Sequence, residues 1–318
     1  MSLTCWILLI VGILLLGGAV VGWFYTMNIA KGVYNELLVR TTPEKWDRVN
    51  SCPTDAEYSE MYDTAVLWQQ AHREHIREVS IVSDGFRLCG EFLDQGSDHT
   101  VILISGRAEG LDYSYYFAPP YYEKGYNLLS IDIRCHGRSE GKYNGLGIKE
   151  YVDLQNWARF LEKECHTSFV LFHALCIGSA SSLLACTKPG CPEVIKGLVV
   201  EGMYTNWDRV LYHRFKTGNR PLFPVKMQLE MQIKKHSGVD IKKESPENYI
   251  GKLRLPILFL HGNEDVSSPP YMAEALYAAC PSEKKRLVWL EKGAHSHLRI
   301  CNTAEYDGAV KAFIDELN

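Results

Sequence analysis

The chain has 318 residues, 46% of them hydrophobic, and a formal net charge of -4. That is enough length and apolar content for one large buried core with small additions, and it excludes a disordered chain. The charge is spread without a basic block, so nucleic acid is not an expected partner. Ten cysteines lie scattered without a C-x-x-C pair, which points away from a zinc site or a disulfide framework and fits a reducing compartment better than an oxidising one.

The first thirty residues carry no Asp, Glu, Lys or Arg, and the apolar stretch 3–27 would cross a hydrocarbon core of about 30 Å as a helix. A cleaved signal peptide has a basic start, a shorter apolar core and a small-x-small cleavage site. This segment instead begins Met1-Ser2-Leu3 and ends in Trp23-Phe24-Tyr25, aromatics suited to a membrane interface. Residues 1–30 are therefore expected to form a retained single-pass anchor. The basic residues Lys31, Arg40, Lys45 and Arg48 all follow it, which by the positive-inside rule puts the main domain in the cytoplasm. Residues 31–78 read as a polar helical neck, punctuated by Pro43 and Pro53. Its Tyr58, Met61, Ala65 and Trp68 are spaced to form one packing face, with no chemistry expected of them.

Residues 79–318 form the main domain. Runs 79–82 and 87–93 flank the turn Ser83-Asp84-Gly85 and read as an antiparallel lead-in. Short apolar runs at 101–105, 127–131, 169–172, 197–200, 257–260 and 286–290 then alternate with helical patterns at 148–164, 180–186, 270–279 and 304–317. Buried strands separated by helices imply an α/β fold: a mostly parallel sheet covered on both faces. The rhythm breaks at 204–252, a charged and aromatic stretch expected to be a short helical cap inserted between two core strands.

Chemistry concentrates in three segments. In the run from Phe169 to Ala180 a strand meets a turn of small residues and then a helix start, with Ala174-Leu175-Cys176-Ile177-Gly178 in the place of the G-x-S-x-G nucleophile elbow. At that helix N-terminus the dipole favours thiolate over thiol on Cys176. A second strand ends in His261-Gly262 followed by Asp265 and Pro269, which puts a carboxylate at the sheet's C-terminal edge. A third runs into Gly293-Ala294-His295. Nucleophile, acid and base then follow in the order Cys176, Asp265, His295. Glu201 is a second candidate acid and His297 a second candidate base. His173 is expected in the core, His136 as a loop-ordering residue, and Ser179 and Ser181 facing away from the turn. The aromatic run 113–122 is read as loop packing, with a cleft wall as the alternative.

From about residue 79 onward these motifs resemble the α/β-hydrolase superfamily. Ser83-Asp84-Gly85-Phe86-Arg87-Leu88 is similar to its S-x-D-G-x-x-L entry hairpin, with one residue fewer. Asp132, Arg134, His136, Gly137 and Ser139 fill its D-x-R-x-H-G-x-S segment. The anchor and the short insertion resemble N-terminally anchored bacterial hydrolases of the serine aminopeptidase and prolyl oligopeptidase-like branch, whose elbow reads H-G-E-S-M-G-A-A. Two departures stand out. The family's H-G after the first core strand is Ser105-Gly106 here, and Cys176 replaces serine, as in dienelactone-hydrolase-like enzymes. The resemblance implies hydrolysis of a carboxylic ester, thioester or amide in a small-molecule, peptide or lipid-like substrate, without cofactor or metal. The backbone amides of Arg107 and Ile177 would serve as oxyanion donors. The competing reading is a binding protein that keeps the fold without the catalysis.

Overall fold

The computed structural model describes residues 2–48 and 56–317; Pro53 lies outside them. Helix α1 (Leu3–Leu38) starts where the Ser2 hydroxyl caps the Cys5 amide. It continues well past Met27, because no proline intervenes before Pro43 and because a second half of the helix finds something to pack on. Up to Gly22 every described residue of α1 is exposed, whereas Trp23, Thr26, Met27, Ala30, Tyr34 and Leu38 form a half-buried to buried seam at helical spacing. The chain then turns extended at Val39, which bridges Tyr143. Helix α2 (Ala56–Ala71) follows, and it buries Tyr58, Met61 and Ala65 as its spacing predicts.

The sheet has eight strands: β1 (Ile76–Ser83), β2 (Phe86–Leu93), β3 (His99–Ile104), β4 (Asn127–Ile131), β5 (Phe169–Leu175), β6 (Ile195–Glu201), β7 (Ile257–Gly262) and β8 (Lys285–Leu290). Their order is β1-β2-β4-β3-β5-β6-β7-β8, antiparallel for the first two pairings and parallel beyond. Asp84 and Gly85 both adopt positive φ between β1 and β2, the backbone that a two-residue hairpin matching the strand twist demands. Strand β4 is buried at every position, as expected of a strand covered on both faces.

On one face lie α3 (Tyr151–Glu164), α4 (Ile177–Thr187) and α7 (Pro270–Ala279), around Trp157, Leu184 and Met272. On the other lie α2 and α8 (Thr303–Leu317), with Tyr58, Tyr113, Phe117, Tyr121, Tyr306 and Phe313 between them and the sheet. The aromatic run 113–122 is thus core packing. The cap between β6 and β7 contains α5 (Trp207–Thr217) and α6 (Val225–Ser237). Helix α6 lies directly on α1: Gln228 Nε2 donates to Trp23 O at 3.1 Å, Gln232 Nε2 meets Met27 Sδ at 3.3 Å, and Ser237 Oγ lies 3.4 Å from Tyr34 Oη.

Candidate active site

Strand β5 ends in a strained turn. Cys176 sits at φ 53°, ψ -112°, between the last strand residue and the first turn of α4. A side chain in that region costs on the order of 1–3 kcal/mol and survives only where the surroundings fix it. Here they do: the Cys176 amide donates to Glu201 O at 3.0 Å, and Ser179 Oγ lies 2.7 Å from Ala174 O and 2.9 Å from Glu201 O. At Gly178 a Cβ would come within 2.8 Å of Ile104 and 2.9 Å of Ser105 O, so only glycine lets α4 press against the end of β3.

The turn after β7 delivers Asp265. Its Oδ1 accepts the amides of Ser267 and Ser268 at 2.8 and 2.7 Å, which leaves Oδ2 to face His295 Nδ1 at 2.7 Å. With Nδ1 so occupied, the other ring nitrogen is left for Cys176, and the thiol and the imidazole act on each other electrostatically. Gly202, at φ 59°, makes room for the ring: a Cβ there would lie 2.9 Å from His295 Cε1. Strands β5, β7 and β8 thus bring a thiol, a carboxylate and an imidazole to one edge of the sheet.

The charges reinforce one another. Burial opposes ionisation of Cys176, yet the neighbouring His295, with a smaller contribution from Arg107, holds the thiol below its ordinary pKa. Burial likewise works against a charged His295, and Cys176 and Asp265 overcome it, raising the imidazole well above its usual range. Asp265 is held low against its own burial by His295. Both shifts favour a thiolate–imidazolium pair backed by a carboxylate.

The loop after β3 carries the expected oxyanion donor. The Gly106 amide is taken by Glu109 Oε2 at 2.7 Å and the Ala108 amide by His136 Nε2 at 3.0 Å. The Arg107 amide between them has no acceptor among the described residues. Ile177 is the first residue of α4, where an amide has no partner within the helix. His136 is the brace of this loop. Its Nδ1 donates to Arg134 O at 3.0 Å, its ring stacks on Trp46 at 4.8 Å, and burial depresses its pKa to about 3. It is therefore a neutral acceptor for Ala108.

The other candidates lie elsewhere. Glu201 points to Tyr306, which donates to it at 2.6 Å, and burial pushes its carboxyl up to about 7. His173 is buried between the hydroxyls of Tyr121 and Tyr306, at 2.8 and 3.0 Å. His297 packs edge-on against Tyr58 and lies 3.2 Å from a Glu57 oxygen. Ser181 bonds back to Ile177 O.

Three site residues went unassigned in the sequence. Glu109 is a buried carboxylate beside the reacting groups that accepts the Tyr58 hydroxyl at 3.2 Å, so the neck reaches the site after all. Arg214 of α5 is half-buried, and its desolvation lowers its pKa, with Arg107 adding to the fall and Cys176 and Asp265 opposing it. The third, Gly202, lies under His295. A glycine directly after a core strand is the signal that would have found it.

No protein-family model matches the chain. It is 27% identical over 226 residues to the uncharacterized protein YqkD of Bacillus subtilis (strain 168), covering 69% of this chain and 72% of that one. Against protein bem46 of Schizosaccharomyces pombe the identity is 24% over 173 residues, 54% of this chain and 52% of that protein. Among solved structures, the Pyrococcus furiosus esterase Pf2001 superposes with a TM-score of 0.62 at 19% identity, over 78% of this chain and 95% of the esterase. The fold is that of the α/β hydrolases. Mouse alpha/beta hydrolase domain-containing protein 10 shares this α/β-hydrolase fold with a TM-score of 0.56 at 15% identity, over 76% of this chain and 100% of its own. The Pyrococcus horikoshii acylaminoacyl peptidase does so at 0.59 and 18%, over 76% of this chain and 41% of its own.

Proposed function

We propose that the protein is a membrane-anchored hydrolase that cleaves a carboxylic ester, thioester or amide through Cys176, His295 and Asp265. The observation that carries this reading is the strained Cys176 elbow facing a histidine already oriented by a buried carboxylate. The thiolate attacks the carbonyl carbon, and as the S–C bond forms, the carbonyl π electrons move to oxygen. That oxyanion is received by the amides of Arg107 and Ile177. Collapse expels the leaving group, protonated by His295, and leaves an acyl thioester on Cys176. His295, now neutral, takes a proton from water; hydroxide adds to the thioester, the S–C bond breaks, and the acid leaves with Cys176 restored. The resemblance to the serine aminopeptidase branch and the tether formed by α1 are part of the same proposal.

Purified protein should hydrolyse members of a panel of ester, thioester and amide substrates, and Cys176→Ala and His295→Ala should each remove nearly all turnover, because such residues act as a unit. Wild-type protein that is silent on the whole panel, with a Cys176 inert to iodoacetamide, would replace this reading by that of a binding protein. For the anchor, protease added outside intact cells should leave the main domain uncut; digestion would reverse the assigned side.

A further inference from the structure

Helix α6 and helix α1 run side by side in the same direction. Their contacts advance in step, Trp23 with Gln228, Met27 with Gln232, and Tyr34 with Ser237 and His236. The start of α6 therefore points toward the apolar, uncovered half of α1. At 1.5 Å per residue, Val225 lies about 4–5 Å beyond the level of Trp23. The loop that precedes it, 218–224, therefore joins α6 at about the level of Val20 and Val21 of α1, both exposed apolar side chains.

That loop has the composition of an interfacial element. Phe223 is 74% exposed, and Met227 and Met231 follow it on the outer face of α6, with Tyr212 exposed on α5. Lys216 and Arg220, both exposed, flank the apolar tip, placed to reach phosphate head groups while Phe223 enters the acyl boundary. Continuity with the apolar half of α1 fixes the occupant of this patch as a lipid surface. The same hairpin is tied to the site: Gly202, under His295, leads through Tyr204, on which Trp207 packs, into the start of α5, and Arg214 in the last turn of α5 has Arg107 and Cys176 among its charged neighbours.

We infer that the α5–α6 hairpin is a second membrane contact, inserted beside α1, and that it delivers to Cys176 an acyl chain resident in the bilayer, as a long-chain ester or thioester. This rests on the reading of α1 as a membrane anchor and of Cys176 as the nucleophile, and the tests separate the three.

Full-length protein in phosphatidylcholine–phosphatidylserine vesicles would carry the photocrosslinker p-benzoylphenylalanine in place of Leu9, Phe223 or Val82, one at a time. Lipid adducts detected by mass spectrometry are expected at 9 and 223 and not at 82, an exposed position on β1. Adducts at 9 without adducts at 223 overturn the inference and leave the anchor standing; no adducts at 9 overturn the anchor and the inference with it. In the same vesicles Phe223→Asp should lower kcat/KM for a long-chain acyl thioester by about tenfold or more, the scale set by losing the burial of one phenylalanine side chain. Turnover of a water-soluble short-chain thioester should stay within about twofold, since Phe223 touches no reacting group. An equal loss on both substrates would refute delivery from the bilayer, and no turnover of either by the unmutated protein would refute the hydrolase reading itself.

Discussion

At Cys176 burial alone would raise the thiol pKa, so the lowered value is a statement about His295. It has a measurable sign. Below the thiol pKa the sulfur is protonated and does not attack; above the imidazole pKa His295 has no proton for the leaving group. Lowering the first and raising the second both extend the pH range in which thiolate and protonated imidazole coexist. Alkylation of Cys176 by iodoacetamide should thus remain fast at pH values below the ordinary thiol range of about 8.5. Asp265→Asn, which weakens the imidazolium, should move that profile to higher pH. A profile centred on the ordinary thiol value in the unmutated protein would refute the ion pair. Gly202 gives a steric counterpart. Alanine there meets His295 Cε1 and adopts φ 59°, so Gly202→Ala should cost on the order of 100-fold in kcat/KM by displacing the base, while thermal unfolding changes much less.

The elbow, the acid turn and the histidine loop were legible in the sequence because each is a local pattern of a strand followed by small or turn-forming residues. Glu109 and Arg214 were not, because what makes them part of the site is non-local. Glu109 meets Tyr58 from α2, 51 positions earlier in the chain, and Arg214 acts on Cys176 only electrostatically, from the cap.

Among elements, the eight strands were legible from short apolar runs bounded by turns; β4 matches its run, β3 ends one residue early, and most other ends extend by a residue or more, since strand ends lie where pairing stops rather than where hydrophobicity does. The length of α1 was not. Its second half is amphipathic only in relation to α6 and the loop around Tyr143, neither of which a window along the sequence contains. The loops after β3 and β4 were visible as motifs, but their coupling through His136 was not. His136→Ala removes both hydrogen bonds and the Trp46 stack. If His136 positions the Arg107 amide, the substitution should lower kcat by about 10- to 100-fold with little change in KM. The alkylation profile of Cys176 should move little, because His295, the partner that chiefly lowers the thiol, is untouched and Arg107 contributes less. A shift of that profile would mean that the whole site, and not only the oxyanion loop, had moved.

At the scale of the whole molecule, α1 has two halves with different debts to the protein. Residues up to Gly22 touch nothing among the described residues that would bury them, whereas Ala30, Tyr34 and Leu38 are buried in the same core cluster as the sheet. The second half also ties into the loops of the candidate site. Arg107 Nη1 lies 3.5 Å from Leu37 O, and just past the helix Arg40 Nη2 donates to Gly137 O at 2.8 Å. Two truncations separate these roles. Removing residues 2–21 should leave a folded protein with nearly unchanged Tm and an intact alkylation profile at Cys176, since only exposed apolar surface is lost. Removing residues 2–38 strips buried tyrosine, leucine and alanine side chains from the core, each large one contributing about 1.5–3 kcal/mol. In a domain of this size that should lower Tm by on the order of 10 °C. It should also loosen the oxyanion loop, so turnover of a water-soluble thioester falls even in the fraction that remains folded. Equal Tm values for the two truncations, measured by calorimetry in the same detergent, would show that the second half of α1 is a tether and not a part of the fold.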